Sequence, residues 1–143
     1  MTLALYAFLG GALVATVGAT EPLHIDVLTT ASHHVRLGSL ENDPAVQITV
    51  AEVDSIARFE GALSAQLPTE PERAQREVLR RLAALQRASV PFLQRAVMGL
   101  ALASELGIDR TPAMVFDRRA VIYGEVDMED ALRRYRAWAL ESR

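Results

Sequence analysis

The residues of this chain best suited to chemistry near neutral pH are its histidines, two of them adjacent. His33 and His34 follow directly on Thr29-Thr30-Ala31-Ser32. Neighbouring imidazoles on a loop could ligate a metal ion, with His24 or Asp26 as further donors. Adjacent residues of an extended chain point to opposite sides, however, so only one of the pair naturally faces a given site. Solvated loop histidines are the default, and neither a metal ligand nor a cofactor-binding residue is assigned. Ser32 beside a histidine does not make a triad, because nothing nearby in sequence supplies an oriented acid or an oxyanion hole. No catalytic residue is assigned either. The chain has no cysteine. That removes a disulfide framework, a thiolate metal site, a cysteine nucleophile and thiol–disulfide exchange together.

The elements that must position these residues are legible from periodicity. Leu23 to Thr29 alternates apolar and polar side chains and predicts a strand with one covered face. Thr30 to Pro44 is polar and punctuated by Gly38, Asn42 and Pro44, so it reads mostly as loop. Gln47 to Val53 alternates again and is rich in β-branched residues, a second strand. Asp54 or Ser55 caps a helix carrying Ile56, Phe59, Leu63 and Leu67 on one face, ended by Pro68. Thr69-Glu70-Pro71-Glu72 has capping-box spacing and opens a second helix to about Arg87, with Val78, Leu82 and Leu85 as its stripe. Ser89-Val90-Pro91 restarts the chain the same way. A third helix then carries Leu93, Val97, Leu100, Ala101 and Leu106 and stops at Gly107.

The last third changes rhythm. Thr111-Pro112 precedes a short buried strand, Ala113 to Phe116. Asp117-Arg118-Arg119 turns the chain, and Ala120 to Tyr123 returns it. Asp127 caps a final helix whose inner face is Met128, Ala131, Leu132, Tyr135 and Trp138. Tyr123 and Trp138 read as core residues with their polar atoms at a rim. The first pair of strands is parallel if its connection crosses over, and the second is antiparallel because its turn is tight. The result is an α/β domain: a mixed four-stranded sheet with flanking helices and a helical insertion between the second and third strands.

Length and composition fit one domain with a real core. The net charge of −3 gives no general reason to bind nucleic acid. Arginine supplies every basic side chain, in runs from Arg73 to Arg87 and from Arg133 to Arg143. These are interleaved with apolar residues at helical spacing and read as solvated faces rather than phosphate contacts. Residues 1–20 carry no charged side chain, and Leu3 to Val17 is an apolar run closed by Gly18-Ala19. That is the pattern of a secretory signal, residues 1–19, with cleavage after Ala19 and residues 20–143 as the mature domain. An uncleaved membrane anchor is the alternative.

The segments Arg110 to Asp117, Ala120 to Gly124 and the helix from Asp127 resemble the closing part of a thioredoxin-like domain. The resemblance implies a cis Thr111–Pro112 bond just before the third strand. It also places Thr30 to His34 where a redox relative carries its thiol pair. A closer resemblance covers the mature chain. Leu28-Thr29-Thr30 with a following histidine, Val53-Asp54 through Leu67-Pro68, and Arg110-Thr111-Pro112-Ala113-Met114-Val115-Phe116-Asp117 through Tyr123-Gly124 and Asp127 to Ala131-Leu132-Arg133-Arg134-Tyr135 carry it. They are similar to a family of exported proteins encoded in bacterial integrating conjugative elements, and more distantly to the thioredoxin-like pilin-assembly proteins of F-type conjugation. The resemblance implies a non-catalytic periplasmic part of a type IV secretion-like transfer apparatus. Its partners would be protein subunits of that apparatus, with no nucleic acid, no cofactor and no membrane contact except through an uncleaved N-terminus. A groove formed by Thr111, Pro112, Thr30, His33 and His34 is the candidate partner site. An enzyme or metal-binding protein using His33 or His34, and a membrane-tethered structural subunit, stand beside it as alternatives.

Overall fold

The computed structural model describes residues 21–142. The apolar run and the expected cleavage point after Ala19 lie outside the described residues. Four strands form one sheet in the order β2-β1-β3-β4: β1 (Leu23–Thr29), β2 (Val46–Glu52), β3 (Ala113–Phe116) and β4 (Ala120–Tyr123). β1 runs parallel to β2, and antiparallel pairs join β1 to β3 and β3 to β4. Helices α1 (Ser55–Ser64) and α2 (Pro71–Leu106) fill the insertion between β2 and β3, and α3 (Met128–Glu141) closes the chain. A single 3₁₀ turn, Gly38–Asn42, interrupts the loop after β1 and makes the fourth helical element among the described residues.

The alternation of β1 divides the core between the two sheet faces. On one face Ile25 and Val27 join Met114 and Phe116 of β3. α3 covers them with Met128, Ala131, Leu132 and Tyr135, and the 3₁₀ turn adds Leu40. On the other face Leu28, Ala51 and Ala113 meet Ala103 of α2 and Ile108 beyond it. β3 is buried on both faces, which explains its unbroken run Ala-Met-Val-Phe. Gly107 ends α2 in the left-handed region at φ +65°, as its position in the sequence implies.

Four expectations need correcting. The chain does not restart at Ser89-Val90-Pro91: α2 is one helix of 36 residues, about 54 Å long at 1.5 Å per residue. Pro91 removes one N–H and costs the helix about 3 kcal/mol. Strong helix formers on both sides and continuous packing on the sheet through Ala96, Gly99 and Leu102 carry the helix across it. Within that segment Val97 and Leu100 face solvent, 56% and 41% exposed. Neither expected cap forms through a side chain at α1 or α2. Asp54 instead accepts from the Ala31 N–H and pairs with Arg58 at 3.3 Å. Lastly, Tyr123 and Trp138 lie at the surface, 40% and 42% exposed. Trp138 reaches out from the core through a ladder of rings, Phe116 to Tyr135 at 4.6 Å and Tyr135 to Trp138 at 5.9 Å.

Much of the first arginine run is internally paired. Arg80 and Arg81 both hold Glu77, whose carboxyl they lower to about 2. Arg81 also donates to the carbonyls of Ala62, Leu63 and Ala65 at the end of α1, at 3.2, 3.2 and 2.6 Å. It thereby satisfies orphan acceptors of that helix and ties α1 to α2.

Candidate functional site

The residues of the candidate groove lie where β1 ends and β3 begins. Register pairs Leu28 with Ala113, so Thr29 and Thr30 continue alongside Pro112. The Thr111–Pro112 bond is cis, as the resemblance implies. Pro112 is buried and its carbonyl accepts the Gly124 N–H at 2.9 Å. Thr111 is half-buried. Among the described residues its N–H and C=O take no part in the hydrogen bonds of the loops and turns. A half-open strand end with unused main-chain groups is a place where an extended peptide can pair.

The facing wall is the turn after β1. Val53 N–H donates to Thr29 O at 2.9 Å, and Asp54 holds the Ala31 N–H, so the ends of β1 and β2 are tied together. Thr29 Oγ1 donates to His33 O at 3.0 Å, and His33 N–H donates back to Thr30 O at 3.0 Å. The Thr30 hydroxyl lies 2.9 Å from His33 Nδ1 and 2.8 Å from Ser32 Oγ. Ser32 Oγ is 3.2 Å from the same Nδ1. Thr30, Ser32 and His33 are therefore tied to one another, at the end of the sheet where Thr111 and Pro112 also lie. His34 is exposed and makes no side-chain hydrogen bond among the described residues. A hydroxyl and an imidazole are thus within hydrogen-bond reach, but among the described residues no acid orients the His33 ring and the Ala31 N–H is committed to Asp54, so a triad is not completed.

The pattern of residues 23–141, from the first residue of β1 to the last of α3, matches one family model. The chain belongs to DUF1525, described as a family of proteins of unknown function. No curated protein and no solved structure matches it.

The DUF1525 fold clamps the loop that leaves the site. Arg36 N–H donates to Val126 O at 2.8 Å and Met128 N–H to Arg36 O at 2.9 Å, while the Arg36 guanidinium pairs with Asp127 at 3.0 Å. Asp127 caps α3 as its place in the sequence implies, accepting from Glu129 and Asp130 N–H at 3.0 and 3.2 Å. Glu129 accepts both the N–H and the hydroxyl of Ser39 at 2.8 Å. Gly38 is required there: it sits at φ +61°, and a Cβ would come within 2.5 Å of Glu129 Oε1. The Asp130 N–H, then Arg36 and the Glu129 N–H, hold the Asp127 carboxyl below the usual range. The Ser39 N–H and hydroxyl do the same for Glu129. Depressed values add stability above the ordinary carboxylate range and lose it as pH falls through the folded values. Urea midpoints of the wild-type chain should therefore drop on acidification from about pH 5 to about pH 3. The double variant Asp127→Asn, Glu129→Gln should start lower and drop less. Parallel curves would mean the clasp does not stabilise the fold.

A second polar cluster was not visible as a site from the sequence. His24 and Asp26 bond at 3.2 Å on the face of β1 toward α2. With Gln47, Thr49, Arg95 and Arg118 they line a cleft of about 350 Å³. The alternation placed His24 and Asp26 on one polar face. Only the fold brings the two arginines over them, one from α2 and one from the hairpin turn. Among the described residues no group of three or more His, Cys, Asp or Glu is disposed to hold a metal ion, and no helix is long and apolar enough to cross a membrane.

Proposed function

We propose that this chain is a non-catalytic, exported, thioredoxin-like component of the type IV secretion-like transfer machinery of an integrating conjugative element. It acts in assembly by gripping an extended partner segment beside Thr111-Pro112. The observation that carries this is the frame: sheet order β2-β1-β3-β4, with β3 opened by a proline next to the turn that follows β1. That arrangement resembles the thioredoxin-like one, a resemblance that would put Thr30 to His34 at the place of its thiol pair. Without cysteine the chain cannot exchange thiols through its own side chains. Peptide recognition is the role this leaves to the frame, and the unused Thr111 N–H and C=O suit main-chain pairing. The charge-free run Leu3 to Val17 supports export to the periplasm. Carboxylates already answer Arg73, Arg80, Arg81, Arg133 and Arg134, which favours protein partners over DNA.

Thr111→Arg places a long side chain across the groove mouth without touching a core residue. The variant is expected to keep its far-UV spectrum and unfolding midpoint. It should lose co-purification of transfer-channel proteins from donor cells and lower transfer of the element at least about tenfold, the scale of one or two lost hydrogen bonds at a binding site. A folded variant with normal capture and normal transfer would remove the groove from the account.

A further inference from the structure

Among the described residues the sheet order leaves β4 as an unpaired edge. Gly124 N–H donates to Pro112 O, and register pairs Met114 with Ile122 and Val115 with Val121. Antiparallel alternation then turns the main-chain groups of Ala120, Ile122 and Gly124 toward β3 and those of Val121 and Tyr123 away from it. The edge presents two N–H and two C=O groups, and no proline or lysine blunts it.

On the α3 side this edge continues into an open groove of about 410 Å³. Its floor is Ile122, Tyr135 and Trp138, and Arg119 and Arg134 stand at its rim. The floor is rigid, because Tyr135 is stacked on the buried Phe116 and carries Trp138 outward. On the opposite face of the strand the Arg110 guanidinium lies 5.1 Å over the Tyr123 ring. Glu125 pairs with Arg134 at 3.2 Å and Asp109 with Arg110 at 3.1 Å. Arg119 makes no ion pair among the described residues. An apolar floor, an unpaired strand edge and arginines on both faces therefore coincide in a chain whose net charge is negative.

We propose that the β4 edge takes an extended segment of a partner protein that alternates apolar and acidic side chains, adding it as a fifth strand. The main chain of Val121 and Tyr123 supplies the pairing. Apolar side chains of the segment cover Ile122, Tyr135 and Trp138 on the α3 face, and its carboxylates, which alternation puts on the opposite face, meet Arg110. A nucleic acid would find positive charge here but offers no extended main chain to pair in register with the outward N–H and C=O groups. The proposal needs neither the Thr111 groove nor the conjugative reading.

Trp138 is the single tryptophan of the chain, so fluorescence reports from inside the groove. The probe is a capped octapeptide of alternating leucine and glutamate, set against its leucine–lysine counterpart and a single-stranded oligo-dT. The acidic peptide is expected to shift Trp138 emission to shorter wavelength and to saturate, binding at least about tenfold tighter than the lysine peptide. Val121→Pro removes an outward N–H without removing a bond to β3, and should weaken binding by about tenfold or more. Arg110→Glu alters only an exposed side chain on the face that meets the carboxylates, and should also weaken it should Val121→Pro fail to fold. Equal response to both peptides, undiminished binding by the charge-reversed or the folded proline variant, or displacement of the peptide by oligo-dT overturns the proposal. So does a dimer of the free chain that Val121→Pro dissociates, which would put a second copy on the edge.

Discussion

Phe116→Ala is expected to lower the stability of the chain by about 3–5 kcal/mol, the range for emptying a buried aromatic site. Phe116 is fully buried and is the largest such side chain on the sheet. It sits in the α3-side cluster with Ile25, Met114, Met128 and Tyr135, and its ring stacks on Tyr135 at 4.6 Å with 10° between planes. Truncation leaves a cavity between two elements that meet nowhere else in sequence, so neighbouring side chains can close it only in part. Trp138→Ala is the counterpart at the outer end of the same ring ladder. There the side chain is half in water, and the expected loss is about 1 kcal/mol or less. Urea denaturation of the two variants separates an aromatic that holds the fold from one that dresses a surface. Similar losses would mean Trp138 belongs to the core, and the β4-edge groove would then lose its floor.

That contrast marks how far the sequence could be read. Met128, Ala131, Leu132, Tyr135 and Trp138 share helical spacing, and periodicity assigned all five to one inner face. A stripe wider than its target spills at its edge, and Trp138 is where α3 runs past the sheet. Strand identity, parallel and antiparallel pairing and the helical insertion were legible because each depends on local period or connection length. Pro91 misled because its two meanings, helix start and missing donor, look the same in sequence. The packing of Ala96, Gly99 and Leu102 on the sheet decides between them. At the candidate site, Thr30, His33, Thr111 and Pro112 were singled out by resemblance. Asp54 and Thr29, which fix the turn, were not, because a carboxylate at a helix start reads as a cap until the neighbouring strand is in place. Arg95 and Arg118 stand far along the chain from His24 and Asp26, and no spacing rule joins them.

Gly99→Ala is expected to destabilise the chain by about 2 kcal/mol, although alanine in place of glycine inside a helix ordinarily gains about 0.5–1 kcal/mol. Gly99 is where α2 lies closest to the sheet. A Cβ there would stand 2.5 Å from Ala51 Cβ and 3.2 Å from Leu28 Cδ2. Ala51 is buried on β2 and its methyl cannot rotate away, so α2 must lift from the strand or β2 must yield. Gly61, in α1, has nothing within 4 Å of the same added atom, and Gly61→Ala should show the ordinary gain. The double variant Gly99→Ala, Ala51→Gly restores the clearance by moving the methyl to the other partner. It should recover more than half of the loss, a coupling of about 1 kcal/mol or more between two residues in contact. The same approach sets the depth of the His24–Asp26 cleft, since Gly99, Ala51 and Leu28 line its floor. Additive losses in the cycle would show that α2 is not seated by this contact. The cleft and the position of Arg95 over it would then need another support.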